Sequence, residues 1–198
     1  EAATLLSLRL ARAFDEAGSD DGARAFARLA TAVAKYWTNK RAPGHIVEAL
    51  ECLGGAGYIE ESPLPRLYRE APLNSIWEGS GNVICLDVLR TLQREPDALE
   101  LLLAELRPAA GERRELAAHV EQIMKVLREG ELESQARWLV QSLAVALQAA
   151  LLVQHGDPAV ADAFCRTRLV GEPTAIYGKL PRDIDAASIV ARARVKPD

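Results

Sequence analysis

Leu139, Leu143, Leu147 and Leu151 recur every four residues, with Val140, Ala144 and Val145 beside them. Apolar pairs repeating at that interval follow the helical period rather than the strict alternation of a half-buried strand. Residues 131–154 therefore read as a helix that is apolar on several sides and buried on most of them. Gln141, Ser142 and Gln148 interrupt the run, which argues against a membrane span. The rest of the chain follows the same period. Aromatic residues are only 5% of the 198, and β-branched runs are few, so an all-α antiparallel helical bundle is expected.

In chain order, a first helix covers residues 2–17, with Leu6, Leu10, Ala13, Phe14 and Ala17 on one stripe. A turn cluster at residues 18–22 leads to a second helix carrying Phe26, Leu29, Ala30, Val33 and Trp37. Ala42-Pro43-Gly44 interrupts it, and the pattern resumes at Ile46, so a kinked continuous helix and two separate helices are equally compatible. Gly54-Gly55 ends it, residues 56–63 read as loop, and Pro65 opens a short helix to about Ala71. Glu95-Pro96-Asp97 reads as a boundary. Beyond it come a helix closed by Pro108 and Gly111, another closed near Gly130, the apolar helix, and one capped by Asp157-Pro158. A last amphipathic stretch starts at Asp183. The chain divides into residues 1–93 and 94–198.

The chemistry concentrates at Trp77-Glu78-Gly79-Ser80-Gly81-Asn82. An apolar periodic run follows directly, with Ser80 a suitable N-cap, so Glu78 stands just ahead of a helix N-terminus on a glycine-rich loop. A carboxylate there can serve as a base, or it can simply complement the helix dipole.

Trp77-Glu78-Gly79-Ser80 resembles the aromatic-Glu-Gly-Thr motif of acyl-CoA dehydrogenases. Glu51-Cys52-Leu53-Gly54-Gly55-Ala56-Gly57-Tyr58 is similar to that family's Gln-x-x-Gly-Gly-x-Gly-aromatic turn, and Leu67-Tyr68-Arg69-Glu70-Ala71 to its short Arg-Asp-Ala helix. The wording of Pro65 to Arg90 resembles most the AidB-like, alkylation-response branch. The likeness is close over residues 1–93, and residues 94–198 are placed as that branch's C-terminal helical extension.

The resemblance implies an FAD-dependent oxidoreductase acting on acyl-CoA thioesters in the intact protein. Glu78 then removes the α-proton while hydride leaves the β-carbon for the flavin, from an apolar slot beside Trp77 that raises its pKa. It also implies cofactor contacts by Glu51, Cys52, Leu53, Gly54 and Gly55 with a neighbouring subunit's FAD, and by Ser80, Gly81 and Asn82 with the flavin end. Glu51, in place of glutamine, sets a carboxylate near a pyrophosphate. The chain is expected to be a fragment, since it begins at Glu1 without methionine, and to retain no tightly bound FAD by itself. Family members assemble through their bundles, and the stripes with Phe14, Leu29, Val33 and Trp37 need a cover. A dimer or tetramer is therefore expected, with the Leu139–Leu151 helix filling the core of the C-terminal half.

The alternatives are a DNA-associated protein of the alkylation response and a module that only oligomerises. Candidate contacts to double-stranded DNA are Arg166, Arg168, Lys179, Arg182, Arg192, Arg194 and Lys196, which outnumber Glu172, Asp183, Asp185 and Asp198. The net charge of −4 offers no broader attraction to nucleic acid or anionic membrane. Cys52, Cys85 and Cys165 are odd in number and unpaired in spacing, as in buried, reduced residues of a cytoplasmic protein. His45, His119 and His155 have no metal-ligand spacing.

Overall fold

The computed structural model describes residues 1–171, 177–178 and 180–195. It is all-α, with no strand among the described residues. Among the described residues ten α-helices follow in order: α1 (Ala2–Glu16), α2 (Asp21–Cys52), α3 (Gly55–Tyr58), α4 (Leu64–Glu70), α5 (Gly81–Arg94), α6 (Pro96–Glu112), α7 (Arg114–Glu129), α8 (Leu132–His155), α9 (Pro158–Arg168) and α10 (Ala186–Ala193). A 3-10 turn, Ala71–Ser75, follows α4.

Local chemistry sets several ends. The Asp20 carboxylate accepts from the N–H groups of Gly22 (2.7 Å) and Ala23 (3.2 Å) and starts α2. Asp157 does the same for α9, from Ala159 (2.9 Å) and Val160 (3.4 Å). Gly130, with φ 87°, ends α7. At Pro43 the continuous alternative holds, and the stop expected at Pro108 and Gly111 is not one. α2 runs unbroken through Pro43 for 32 residues, and α6 runs through Pro108 and Gly111. Each proline forfeits one intrahelical hydrogen bond. Helix α2 packs against α1, α5, α6 and α8, and α6 against α2, α7 and α8, which outweighs that loss. The segment expected as loop at 56–63 contains the single turn α3.

α8 is the axis of the molecule. It touches α1, α2 and α5 from the first half and α6, α7 and α9 from the second. Ser142 through Leu152 are all buried. The expectation that this helix fills only the core of residues 94–198 is therefore wrong. Leu29 and Val33, both fully buried, are covered within the chain, in the same core cluster as Leu139, Leu143 and Leu147. Trp37 donates its indole N–H to buried Gln148 at 2.9 Å. Phe14 alone of that expected stripe remains largely exposed, at 59%. The helix has the length and hydropathy of a membrane span despite Gln141, Ser142 and Gln148, so those interruptions do not by themselves exclude one. Burial by six neighbouring helices is what marks it as a core helix.

Cys85 and Cys165 are buried as expected, but Cys52 is exposed at the end of α2. Burial pushes the Cys165 thiol up to about 11, and the Cys85 thiol upward as well.

Candidate active-site loop

Residues 76–80 connect the 3-10 turn to α5, and α2 shapes them. The Lys35 ammonium donates to three successive carbonyls: Trp77 (2.7 Å), Glu78 (3.1 Å) and Gly79 (2.9 Å). All three of its N–H bonds are thus used. One helical turn further on, Asn39 Nδ2 donates to the Asn74 carbonyl at 2.7 Å. The loop turns through the left-handed region at Glu78 (φ 53°), the only such non-glycine among the described residues, and at Gly79 (φ 110°). A Cβ on Gly79 would also lie 3.1 Å from Ile84 Cγ1, so glycine is required there twice over.

Ser80 begins α5 with extended backbone, and its carbonyl accepts from Ile84 N–H at 3.0 Å. Its hydroxyl makes no capping bond, which differs from the expected side-chain cap and leaves the first N–H groups of α5 open. Gly81 is buried against α2, where a Cβ would come within 2.8 Å of Lys40 Cε and 3.4 Å of Tyr36 Cε2. Asn82 Oδ1 accepts from Arg137 Nε of α8 at 2.6 Å. So Ser80, Gly81 and Asn82 stand together with Glu78, beside Lys35, Lys40 and Arg137. Sequence reasoning missed those three cations because each comes from a helix far away in the chain.

Glu78 lines a cleft of about 420 Å³ between α1, α2 and α5. Phe14, Ala27, Ala32 and Ile84 form its apolar wall, and the ion pair of Arg28 with Asp87 (2.9 Å) stands at its edge. The carboxylate makes no hydrogen bond or ion pair with a described residue, and the Glu78 N–H donates to none. The enclosed apolar slot expected around Glu78 is not supplied by this chain. Both Glu78 and Trp77 are exposed.

The second expected cofactor segment lies elsewhere. Glu51, Cys52, Leu53, Gly54 and Gly55 are all exposed at the far end of α2. From Lys35 to Glu51 the helix rises ~24 Å, at 1.5 Å per residue. Gly54 turns with φ 56°, and its N–H donates to the Glu51 carbonyl at 3.0 Å. Gly57 is buried so tightly against the Leu50 carbonyl that no Cβ fits. Arg69 on α4 forms a two-pronged bond to Glu60 (2.7 and 3.1 Å), fixing the short helix beside the turn.

The expected DNA-contact residues do not form one stripe. Arg166 is held by Asp183 (2.7 and 2.9 Å) and Asp162, and Arg192 by Glu1 (2.8 Å). Arg168 is partly buried in a cleft with Tyr177. Arg182 and Arg194 are exposed, and Lys179 and Lys196 lie outside the described residues.

The chain is thus an all-helical bundle with a glutamate on a left-handed turn ahead of α5 and a diglycine turn ending α2. Residues 1–93 match the family model described as "Acyl-CoA dehydrogenase, C-terminal domain". The chain belongs to the acyl-CoA dehydrogenase family. Within it, the chain is similar to the putative acyl-CoA dehydrogenase AidB of Escherichia coli (strain K12), 41% identical over 169 residues, covering 85% of this chain and 31% of that protein. It is also similar to acyl-CoA dehydrogenase family member 11 of Caenorhabditis elegans, 34% identical over 184 residues, covering 82% and 29%. A crystal structure of Caenorhabditis elegans ACDH-11 in complex with C11-CoA superimposes with a TM-score of 0.75 at 29% identity, over 86% of this chain and 34% of that one. The chain spans about a third of the length of these relatives.

Proposed function

We propose that this chain supplies the proton-accepting residue of a flavin-dependent acyl-CoA dehydrogenase-like protein, with Glu78 as the base. The observation that carries it is the Glu78 loop, a left-handed carboxylate held by three lysine bonds at the rim of an apolar cleft. Left-handed backbone at a non-glycine costs ~1–2 kcal/mol. A fold that keeps it there and leaves the carboxylate free of ion pairs is consistent with a side chain held for chemistry. The likeness to a relative solved with C11-CoA supports an acyl thioester as substrate.

The residues present fit FAD. Gly54 and Gly55 offer exposed backbone that a phosphate can approach closely, while Glu51 has to be paired or turned away. The open N–H groups of α5, with Lys40 against Gly81, suit an anionic or carbonyl-bearing group. When bound, FAD supplies the acceptor for the hydride that leaves the substrate β-carbon. Glu78 takes the α-proton onto a carboxylate oxygen, and the electron pair of that C–H bond forms the new double bond with the β-carbon. The free Glu78 N–H can donate to the thioester carbonyl, where negative charge develops. The enclosure that excludes water comes from outside this chain. A second copy, seated on the exposed Leu53, Tyr58, Ile59, Leu67 and Tyr68, accounts for the apolar surface at the end of α2.

The test is anaerobic mixing of the flavin-loaded protein with an acyl-CoA while the flavin absorbance is followed. Glu78→Gln retains size and hydrogen bonding but accepts no proton, so flavin reduction is lost while flavin remains bound. Reduction at the wild-type rate in this variant would remove Glu78 as the base.

A further inference from the structure

Where α2 passes α8 and α9, a second cleft of about 460 Å³ opens on a different side of α2 from the Glu78 loop. Trp37, Leu152, Val160 and Phe164 form an apolar and aromatic wall, while Glu1, whose carboxylate is held by Arg192 at 2.8 Å, and His45 also line the cleft. Trp37 is fixed by its bond to buried Gln148, so this wall is rigid. Two guanidinium groups reach the cleft from separate helices, Arg41 from α2 and Arg168 from the last position of α9. Both lie over the same ring, Tyr177, at 4.8 Å and 5.5 Å from its centroid. Arg41 also lies 5.7 Å from the Trp37 ring.

Bringing two cations to one half-buried ring is unfavourable, because their repulsion grows as water is excluded. Burial pushes the Arg168 guanidinium down from its ordinary value, and Arg41 pushes it further. Among the described residues no carboxylate bonds either group, although carboxylates hold their neighbours. Arg166 is gripped by Asp183 and Asp162, Arg113 by Asp162, and Arg192 by Glu1. The tyrosine face offsets part of the repulsion. An oxyanion between the two planar forks would offset far more, since each fork matches a carboxylate or phosphate in two-pronged geometry.

We propose that this cleft binds a small amphipathic anion. Its single carboxylate or phosphate head lies between Arg41 and Arg168, and its acyl or aryl body lies against Trp37, Leu152, Val160 and Phe164. The site is independent of the reading given to Glu78.

Titration calorimetry of the full-length protein with octanoate tests it, with 1-octanol and inorganic phosphate as probes of each half of the ligand. Octanoate binds one per chain, and both half-ligands bind at least ~10-fold more weakly, because each forfeits either the charge-assisted bonds or the apolar contact. Arg41→Gln and Arg168→Gln each weaken octanoate by ~10- to 100-fold, as expected for one lost charged hydrogen-bonding partner. Val160→Trp fills the cleft, leaves both arginines in place and abolishes binding. Glu78→Gln leaves the octanoate affinity unchanged. Circular dichroism confirms that each variant is folded, and if one arginine variant unfolds, the other and Val160→Trp decide. The proposal is overturned by the absence of saturable octanoate binding, by equal affinity for 1-octanol, by undiminished affinity in the folded variants, or by loss in Glu78→Gln alone.

Discussion

Replacing Lys35 by methionine removes the ammonium and keeps the aliphatic stem against α2. Three bonds to backbone carbonyls disappear, at 2.7, 3.1 and 2.9 Å. A hydrogen bond from a charged donor is worth ~1.5–3 kcal/mol when its partner is left dry. Here the Trp77 and Glu78 carbonyls are exposed and water replaces the lysine, while only the Gly79 bond is partly buried. The net loss is therefore ~1–2 kcal/mol for the three together. For a chain of this size that lowers Tm by about 2–8 °C. The local effect is larger in proportion. The left-handed turn at Glu78 costs ~1–2 kcal/mol, and without the clamp the remaining α2 bond, from Asn39, reaches only Asn74 ahead of the turn. Hydrogen exchange at the Ile76 and Trp77 amides, both bonded to the Leu73 carbonyl (2.9 and 3.2 Å) and followed by mass spectrometry, then speeds up by about tenfold, which is what 1.4 kcal/mol of easier opening gives. Residues 84–92 of α5 remain protected. Lys40→Met, one turn along the same helix, leaves that loop unchanged. Unaltered exchange at the Ile76 and Trp77 amides in a Lys35→Met protein would refute the claim that this lysine sets the shape of the loop.

Three further outcomes follow from the buried groups. His119 Nε2 lies 3.2 Å from the Ser142 carbonyl, and burial lowers its pKa below the ordinary 6.5, so the unfolded chain binds the proton first. The stability due to neutral His119 is complete above about pH 6.5 and is lost as pH falls below it, so wild-type Tm drops more steeply from pH 7 to pH 5 than that of His119→Gln, and parallel curves would contradict this. Iodoacetamide at pH 8 labels exposed Cys52 in the folded protein and spares Cys165, whose buried thiol titrates at about 11; mass spectrometry of the labelled peptides decides. Leu147→Ala removes a fully buried side chain from the central helix and costs ~2–5 kcal/mol, and denaturant melts of the variant remain a single transition, whereas two separated transitions would show that the halves unfold independently.

Much of the fold was legible because it is local. The apolar period gave the helices, Asp20 and Asp157 sit where a cap is needed, and Glu78 falls on a loop ahead of a helix as its neighbours imply. What escaped depends on contacts between distant segments. Pro43 leaves a continuous and a divided helix equally open and Pro108 reads as a break, yet packing along α2 and α6 carries both helices through them. Periodicity shows how many sides of α8 are apolar, but not which helices cover them. The basic C-terminal residues read as a patch, whereas Arg192 is matched to Glu1 at the opposite end of the chain. Lys35 carries no local signal at all, because its partners are more than forty residues away.

The same long-range contacts tie the candidate site to the C-terminal half. The Glu78 loop takes its shape from Lys35 and Asn39, so it is only as ordered as α2. α2 in turn buries Leu29 and Val33 in a core shared with α8, and the bond from Trp37 to Gln148 fixes the two helices against each other. Arg137 of α8 reaches directly to Asn82, in the first turn of the helix that follows the loop. Residues 94–198 thus act on the site through two routes, a packed one behind α2 and a polar one at the start of α5. Burying a leucine or valine side chain contributes ~1.5–3 kcal/mol, more than the Asn82 bond does, because that bond is exposed and water can replace it. The packed route therefore governs whether the loop is formed, and the polar route governs how the first turn of α5 is oriented once it is.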